Sequence, residues 1–287
     1  MSPARSGSRR PGPSEDARPT HRPGPPAGSA GSDVAGPLRF ARFAYPPNAL
    51  GYCGPDAAAE LLERADTGPR AVDPDLRALA EAFEGAWPWL ELIAHANGLA
   101  DPLDDRVVEA YWLGNDLLGR VPATALGPSL EARFRDRLGS DWRWLADTAD
   151  HAPRPHHGFH VMAVSPWVGM LRGEGARPAL EVLDRCRIRW ARVVEVDGAA
   201  AVVTSSPLTW DGRALALGPP RTEQVVVAHD GHRLTELAAG DDVACHWDWA
   251  CERLTPRTLV ALRRETAHQL DLVNHRLAVS PAAAALG

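Results

Sequence analysis

The sequence predicts an α+β protein: an all-helical N-terminal domain, then a small OB-like β-barrel closed by a C-terminal helix. Three observations predict this. Apolar residues recur at helical spacing between Phe40 and about Asp150. From Trp190 the pattern changes to short β-rich runs separated by Gly, Pro and Asp-Gly turns. After Thr255-Pro256 a helical stripe returns.

In order along the chain, residues 1–37 are a low-complexity stretch of Pro, Gly, Ser and Arg, read as a disordered tail because little there can bury apolar area. The helical domain is placed at 38–180. Its first segment, Phe43 to Asp56, reads as a shaped loop because of its prolines and glycines, with Asp56 capping the helix that follows. Leu76, Leu79, Ala80 and Phe83 form one helical stripe. Trp89, Leu92, Ile93 and Ala96 form a second, ended by Asn97-Gly98. A third helix is expected from Asp104 to Leu118. Ser129 and Asp141 read as N-caps for helices over 130–138 and 142–149.

A helix over Pro178–Leu183 leads into the β region, 181–279. Trp190–Val196 and Ala199–Thr204 flank Asp197-Gly198, a strong hairpin signal. Further strands are expected at Leu215–Leu217, Glu223–Val227 and Val243–Trp249. Thr255 at N-cap and Pro256 at N1 open the last helix. Leu259, Leu262, Thr266, Leu270, Val273 and Leu277 line one face of it. The Ala-rich end, 280–287, is expected to fray.

Composition excludes several classes of function. The chain has 287 residues and a net charge of -6, without the basic footprint that nucleic acid requires. No apolar run is long enough to span a bilayer and no signal peptide is visible, so a cytoplasmic protein with no membrane partner is expected. All 31 basic residues are arginine, which removes Schiff-base, phosphate-loop and kinase-type lysines. Four cysteines at 53, 186, 245 and 251, with no Cys-x-x-Cys, argue for reduced thiols rather than a disulfide scaffold or a zinc knuckle.

Two segments carry the chemistry. Cys186 stands just ahead of a strand and a tight turn, and Gly240-Asp-Asp-Val-Ala-Cys-His246 ends a later strand in an imidazole. A soft thiolate and a histidine meeting at one end of a barrel would be a metal-handling pair. Cys53, and His156, His157 and His160, are secondary candidates: Cys53 as a cleft thiol or a packing cysteine, the histidines as ligands or as packing residues. On an alternating strand Cys245 and Trp247 point one way, His246 and Asp248 the other. Cys245 then enters the core if His246 faces an open side, where Asp248 can orient it.

Cys186, the strand and turn Val193-Val-Glu-Val-Asp-Gly198, then Gly240, Asp241, Val243 and His246, Glu252-Arg-Leu254 and a final helix resemble, in order and spacing, the HypC/HupF family of nickel–iron hydrogenase maturation chaperones. The resemblance covers about a third of the chain. The whole chain also resembles an actinobacterial family of unknown function. The HypC/HupF resemblance implies an accessory protein without turnover, binding a hydrogenase large subunit or the iron-delivery scaffold. It makes Cys186 a ligand or partner anchor for a transient iron centre with cyanide and carbon monoxide ligands, with His246 beside it. Trp190, Asp241, Trp247 and Asp248 are the candidate partner contacts around this motif. The sequence departs from the family in that Cys186 is internal rather than N-terminal. Two other classes stay open: a cysteine-nucleophile enzyme for acyl or amide chemistry, using Cys186–His246 or Cys53 with a nearby histidine, and a purely structural interaction protein.

Overall fold

Strand pairing follows the turn chemistry. In the computed structural model, which describes Met1 and residues 34–67, 74–122, 124–126 and 153–279, β1 (Arg189–Asp197) and β2 (Ala200–Ser205) form an antiparallel hairpin. Gly198 turns it at φ +59°, a conformation glycine adopts without penalty. β3 (Leu208–Trp210) and β4 (Leu215–Leu217) form a separate small hairpin, and β6 (Ala228–His229) with β7 (His232–Arg233) another. The main sheet has five strands in the order β1, β2, β5 (Arg221–Val226), β9 (Trp249–Arg253), β8 (Asp242–His246), and β8 also pairs with β1. One face collects Ala191, Val193, Val203, Val225, Val243 and Cys245 into a core. Alternate residues, including Ala244 and Cys251, enter a second core shared with the helices.

The helices are α1 (Gly36–Ala49), α2 (Ala58–Thr67), α3 (Pro74–Glu81), α4 (Trp87–Ala96), α5 (Asp105–Trp112), α6 (Ala176–Cys186) and α7 (Pro256–Val279). A short helical turn at His157–Phe159, continued by a π-turn over His160–Val164 and a 3₁₀ segment over Pro166–Arg172, precedes α6. Phe40, Phe43, Trp89, Ile93, Val107, Val108 and Tyr111 are buried in the shared core. From α7, Val273 and Leu277 pack with Met162, Leu171 and Leu183 in another. The described residues from Val34 to Val279 cluster as one unit, so the helical and β segments pack on each other. Among the described residues no helix is long and apolar enough to cross a membrane. The tail up to residue 33, the helices expected over 130–138 and 142–149, and the end 280–287 lie outside the described residues, Met1 apart.

Three expectations are corrected. The segment from Phe43, read as a shaped loop, is helical as far as Ala49 with Pro46 and Pro47 inside α1. Burial of Phe40, Phe43 and Ala44 outweighs the two N–H donors that the prolines remove. The helix expected over Asp104–Leu118 ends at Trp112, where Gly114 at φ +90° turns the chain; Asp104 is its N-cap, accepting from Arg106 N at 3.0 Å. The strand expected over Val243–Trp249 is two strands, because Trp247 at φ +52° reverses the chain between His246 and Trp249.

A buried, bidentate ion pair ties the layers together. Arg39 of α1 donates through Nε and Nη2 to Glu252 of β9 at 2.7 and 2.6 Å, and Glu109 of α5 accepts from Arg257 of α7 at 2.8 and 2.7 Å. Arg39 Nη1 lies 3.7 Å from Glu109, joining the two pairs. Burial alone would raise the Glu109 carboxyl, but the Arg257 hydrogen bonds and the Arg39 charge hold it below the usual carboxylate range.

Candidate metal centre

Cys186 is the last residue of α6, three residues before β1 rather than on the strand itself. His246 is the last residue of β8, and His157 opens the helical turn before α6. These three come from distant stretches of chain, yet each offers a donor atom within 4.8 Å of the other two. They line an inner cavity of about 140 Å³ whose walls include Tyr111, Trp112, Tyr52 and Trp247. The two imidazoles meet edge to face with centroids 5.0 Å apart, and Trp112 lies against both, at 4.6 Å from His157 and 5.6 Å from His246.

His246 is set up by α1. Its Nδ1 lies 2.7 Å from the carbonyl oxygen of Phe43. A carbonyl only accepts, so Nδ1 carries the hydrogen and Nε2 keeps its lone pair. In an uninterrupted helix the Phe43 carbonyl would accept from the N–H of residue 47, but residue 47 is proline and has none. The proline thus frees the carbonyl that selects the tautomer of His246. His246 Nε2 is fully buried and has no hydrogen-bond partner. Burial lowers this imidazole to about 3, the Phe43 and then the Cys186 carbonyls opposing, so it is neutral at ordinary pH. A buried neutral imidazole with an unused lone pair suits a metal ion.

His157 is held differently. Its Nε2–H donates to the Cys186 carbonyl at 2.8 Å, and its Nδ1 faces the Tyr111 hydroxyl at 3.3 Å. Tyr111 can turn that hydroxyl to Gly85 O, 3.1 Å away, leaving Nδ1 open to a metal. Burial, and then neighbouring His246, hold His157 well below its ordinary value. Burial pushes the Cys186 thiol up, nearby Cys53 adds to this and the Trp247 indole opposes it. With no cation present the thiol is protonated; a bound metal would reverse this by stabilising the thiolate.

The other expected residues divide. Cys53 and His160 also line the cavity. Cys53 is exposed as a residue, yet burial pushes its thiol up to about 12 and it acts on the Cys186 thiol. His160 Nδ1 accepts from the Trp89 indole at 3.4 Å. His156 turns toward α7: its Nδ1 accepts from Gly158 N at 2.9 Å, and burial first, opposed by Glu265, sets it at about 4. Trp190 is half-buried with Arg263 over its ring at 5.5 Å, and Asp241 accepts from Ala238 N at 2.9 Å. Trp247 is buried and stacked on Tyr52 at 4.2 Å. Asp248 pairs with Arg185 and does not orient His246; that role belongs to Phe43 O. His246 does face away from Cys245, which packs in the sheet core, but α1 and α5 cover the side expected to be open.

His157, a secondary candidate beside His156 and His160, is the one of these three that meets both Cys186 and His246; nothing in the spacing points to a thiol 29 residues later. The profile of DUF6390, described as a family of unknown function, matches residues 32–280. The chain belongs to the DUF6390 family. Residues 157, 186 and 246 all fall within the matched span, as does every element of the described fold. No curated protein and no solved structure gives a significant match, so the HypC/HupF resemblance is carried by the motif residues alone.

Proposed function

We propose that this DUF6390 protein is a metal-centre accessory factor that holds an iron centre at Cys186, His246 and His157 and escorts it to a nickel–iron hydrogenase large subunit or its maturation scaffold. The observation that carries the reading is the buried, unpartnered Nε2 of His246 on a cavity shared with a thiol and a second imidazole. The motif order from Cys186 to the final helix supports the hydrogenase part. The pairing of β8 back onto β1 supports the HypC-like barrel.

Charge favours small anionic co-ligands. A divalent ion with one thiolate keeps a positive charge, and among the described residues no carboxylate lines the inner cavity. Burying that charge is costly unless an anion such as cyanide accompanies it. About 140 Å³ leaves room for several ligands of water size. A cysteine-nucleophile enzyme is less well supported, because the thiol is pushed up rather than down and the His157 Nε2–H is engaged with a carbonyl.

The test is titration of the purified full chain with cobalt(II), followed by infrared spectroscopy on protein isolated from a hydrogenase-producing host. One cobalt per chain with a thiolate charge-transfer band is expected, with the band absent in Cys186→Ser. His246→Ala should weaken binding by at least about a hundredfold, since loss of outer-shell partners alone costs about 10–100-fold. Failure of the parent protein to take up cobalt would remove the metal. Uptake without cyanide or carbon monoxide bands would remove the hydrogenase assignment while keeping the site.

A further inference from the structure

If the proposed metal site holds, an ion must reach a cavity walled by Tyr111, Trp112 and Trp247, all buried. Tyr52, Cys53, Gly85 and His160 line both this cavity and a wider outer cleft of about 760 Å³. The Tyr52–Cys53 segment is therefore the wall between them. Gly51 at φ +73° and Gly54 at φ +81° bracket it, and the buried Asn48 amide donates to Cys53 O at 2.8 Å and to Pro55 O at 2.5 Å. Tyr52 is 51% exposed and lies on Trp247, which is 5% exposed, so the two rings cap the site. Trp247 sits at φ +52°, a strained backbone for a residue with a side chain, of the kind that gathers at functional sites.

Behind this wall the buried His246 Nε2 has no hydrogen-bond partner, and the Trp247 indole acts on the Cys186 thiol. In front of it the outer cleft carries the carboxylates Glu81 and Glu84, whereas among the described residues the inner cavity carries none. Cations are thus drawn to the outer side, and Cys53 presents the thiol that both sides share.

We propose that Cys53 is a transfer ligand: it takes a divalent metal ion from the outer cleft and hands it to His157, Cys186 and His246 when the Tyr52–Trp247 stack swings aside. As the Cys53 sulfur–metal bond forms, the thiol proton leaves to solvent. On transfer that bond breaks while the Cys186 sulfur–metal bond forms, and the Cys186 proton passes to the departing Cys53 sulfur. The metal keeps its oxidation state throughout.

Stopped-flow loading of the full chain with cobalt(II) tests this. Cys53→Ser should slow the appearance of the thiolate–cobalt band at least tenfold while still reaching one cobalt per chain. Tyr52→Ala should speed both loading and removal by a chelator. An unchanged loading rate in Cys53→Ser overturns the transfer role. A weaker band at saturation in that variant overturns it in another way, by making Cys53 a resident ligand. If the parent takes up no cobalt, it is the metal site itself that fails.

Discussion

Replacing Arg39 with methionine isolates the contact that holds α1 against the sheet. The guanidinium is 1% exposed and makes two short hydrogen bonds to Glu252, itself 3% exposed. Methionine fills much of the same volume, so the main loss is electrostatic: a buried carboxylate is stranded. Breaking one side of such a pair costs about 3–5 kcal/mol. Arg42, whose charge also acts on Glu252, softens the loss toward the lower end. For a chain of this size about 3 kcal/mol corresponds to a fall of roughly 6–12 °C in the unfolding midpoint. Urea denaturation followed by tryptophan fluorescence would read it as a lower midpoint with unchanged slope. Adding Glu252→Leu should restore most of the loss, because replacing both members of a buried pair with apolar residues is often neutral. The single variant should also bind cobalt more weakly, since α1 carries the Phe43 carbonyl that orients His246. A loss below about 1 kcal/mol, or a double variant no better than the single, would refute the reasoning.

Acid should unfold the metal-free protein early. His246 at about 3 and His156 at about 4 are neutral when folded but protonate near pH 6.5 when unfolded, so their stabilisation is present above 6.5 and is lost as pH falls below it. The loss is about 2 kcal/mol per histidine at pH 5; a flat denaturation midpoint between pH 7 and 5 would contradict this. Cobalt affinity should run in the same sense, rising about tenfold per pH unit near neutrality because binding expels the Cys186 proton, which a competition titration at several pH values would measure. Gly54→Ala should destabilise the protein by about 1–3 kcal/mol in urea, since the new Cβ would lie 2.4 Å from the Phe83 ring at φ +81°; an unchanged midpoint would show that the turn relaxes freely.

Much of the fold was legible where local chemistry decides structure. Asp197-Gly198 announces its hairpin because few other residues tolerate that turn, and Thr255-Pro256 announces α7 because cap and N1 preferences are local. The errors fall where tertiary contacts overrule local preference. Pro46 and Pro47 read as loop residues, yet the aromatic face of α1 keeps them helical. Nothing about tryptophan announces a left-handed backbone, so the break at Trp247 was hidden. At the site, the pairing of Cys186 with His246 was visible through the motif order. His157 was a candidate ligand beside His156 and His160, but its meeting with Cys186 was not legible, because it depends on how the turn before α6 docks beneath Tyr111 and Trp112.

Pro47 sits on the cavity wall yet its side chain offers no donor atom to an ion, and its effect there comes from a hydrogen it lacks. An alanine at that position would restore a rival claimant for one oxygen on the Phe43 backbone. An imidazole 203 residues further along the chain from that oxygen would then lose its exclusive acceptor. Sequence drift at this proline can therefore retune the chemistry of the centre while every residue that would touch the ion stays the same.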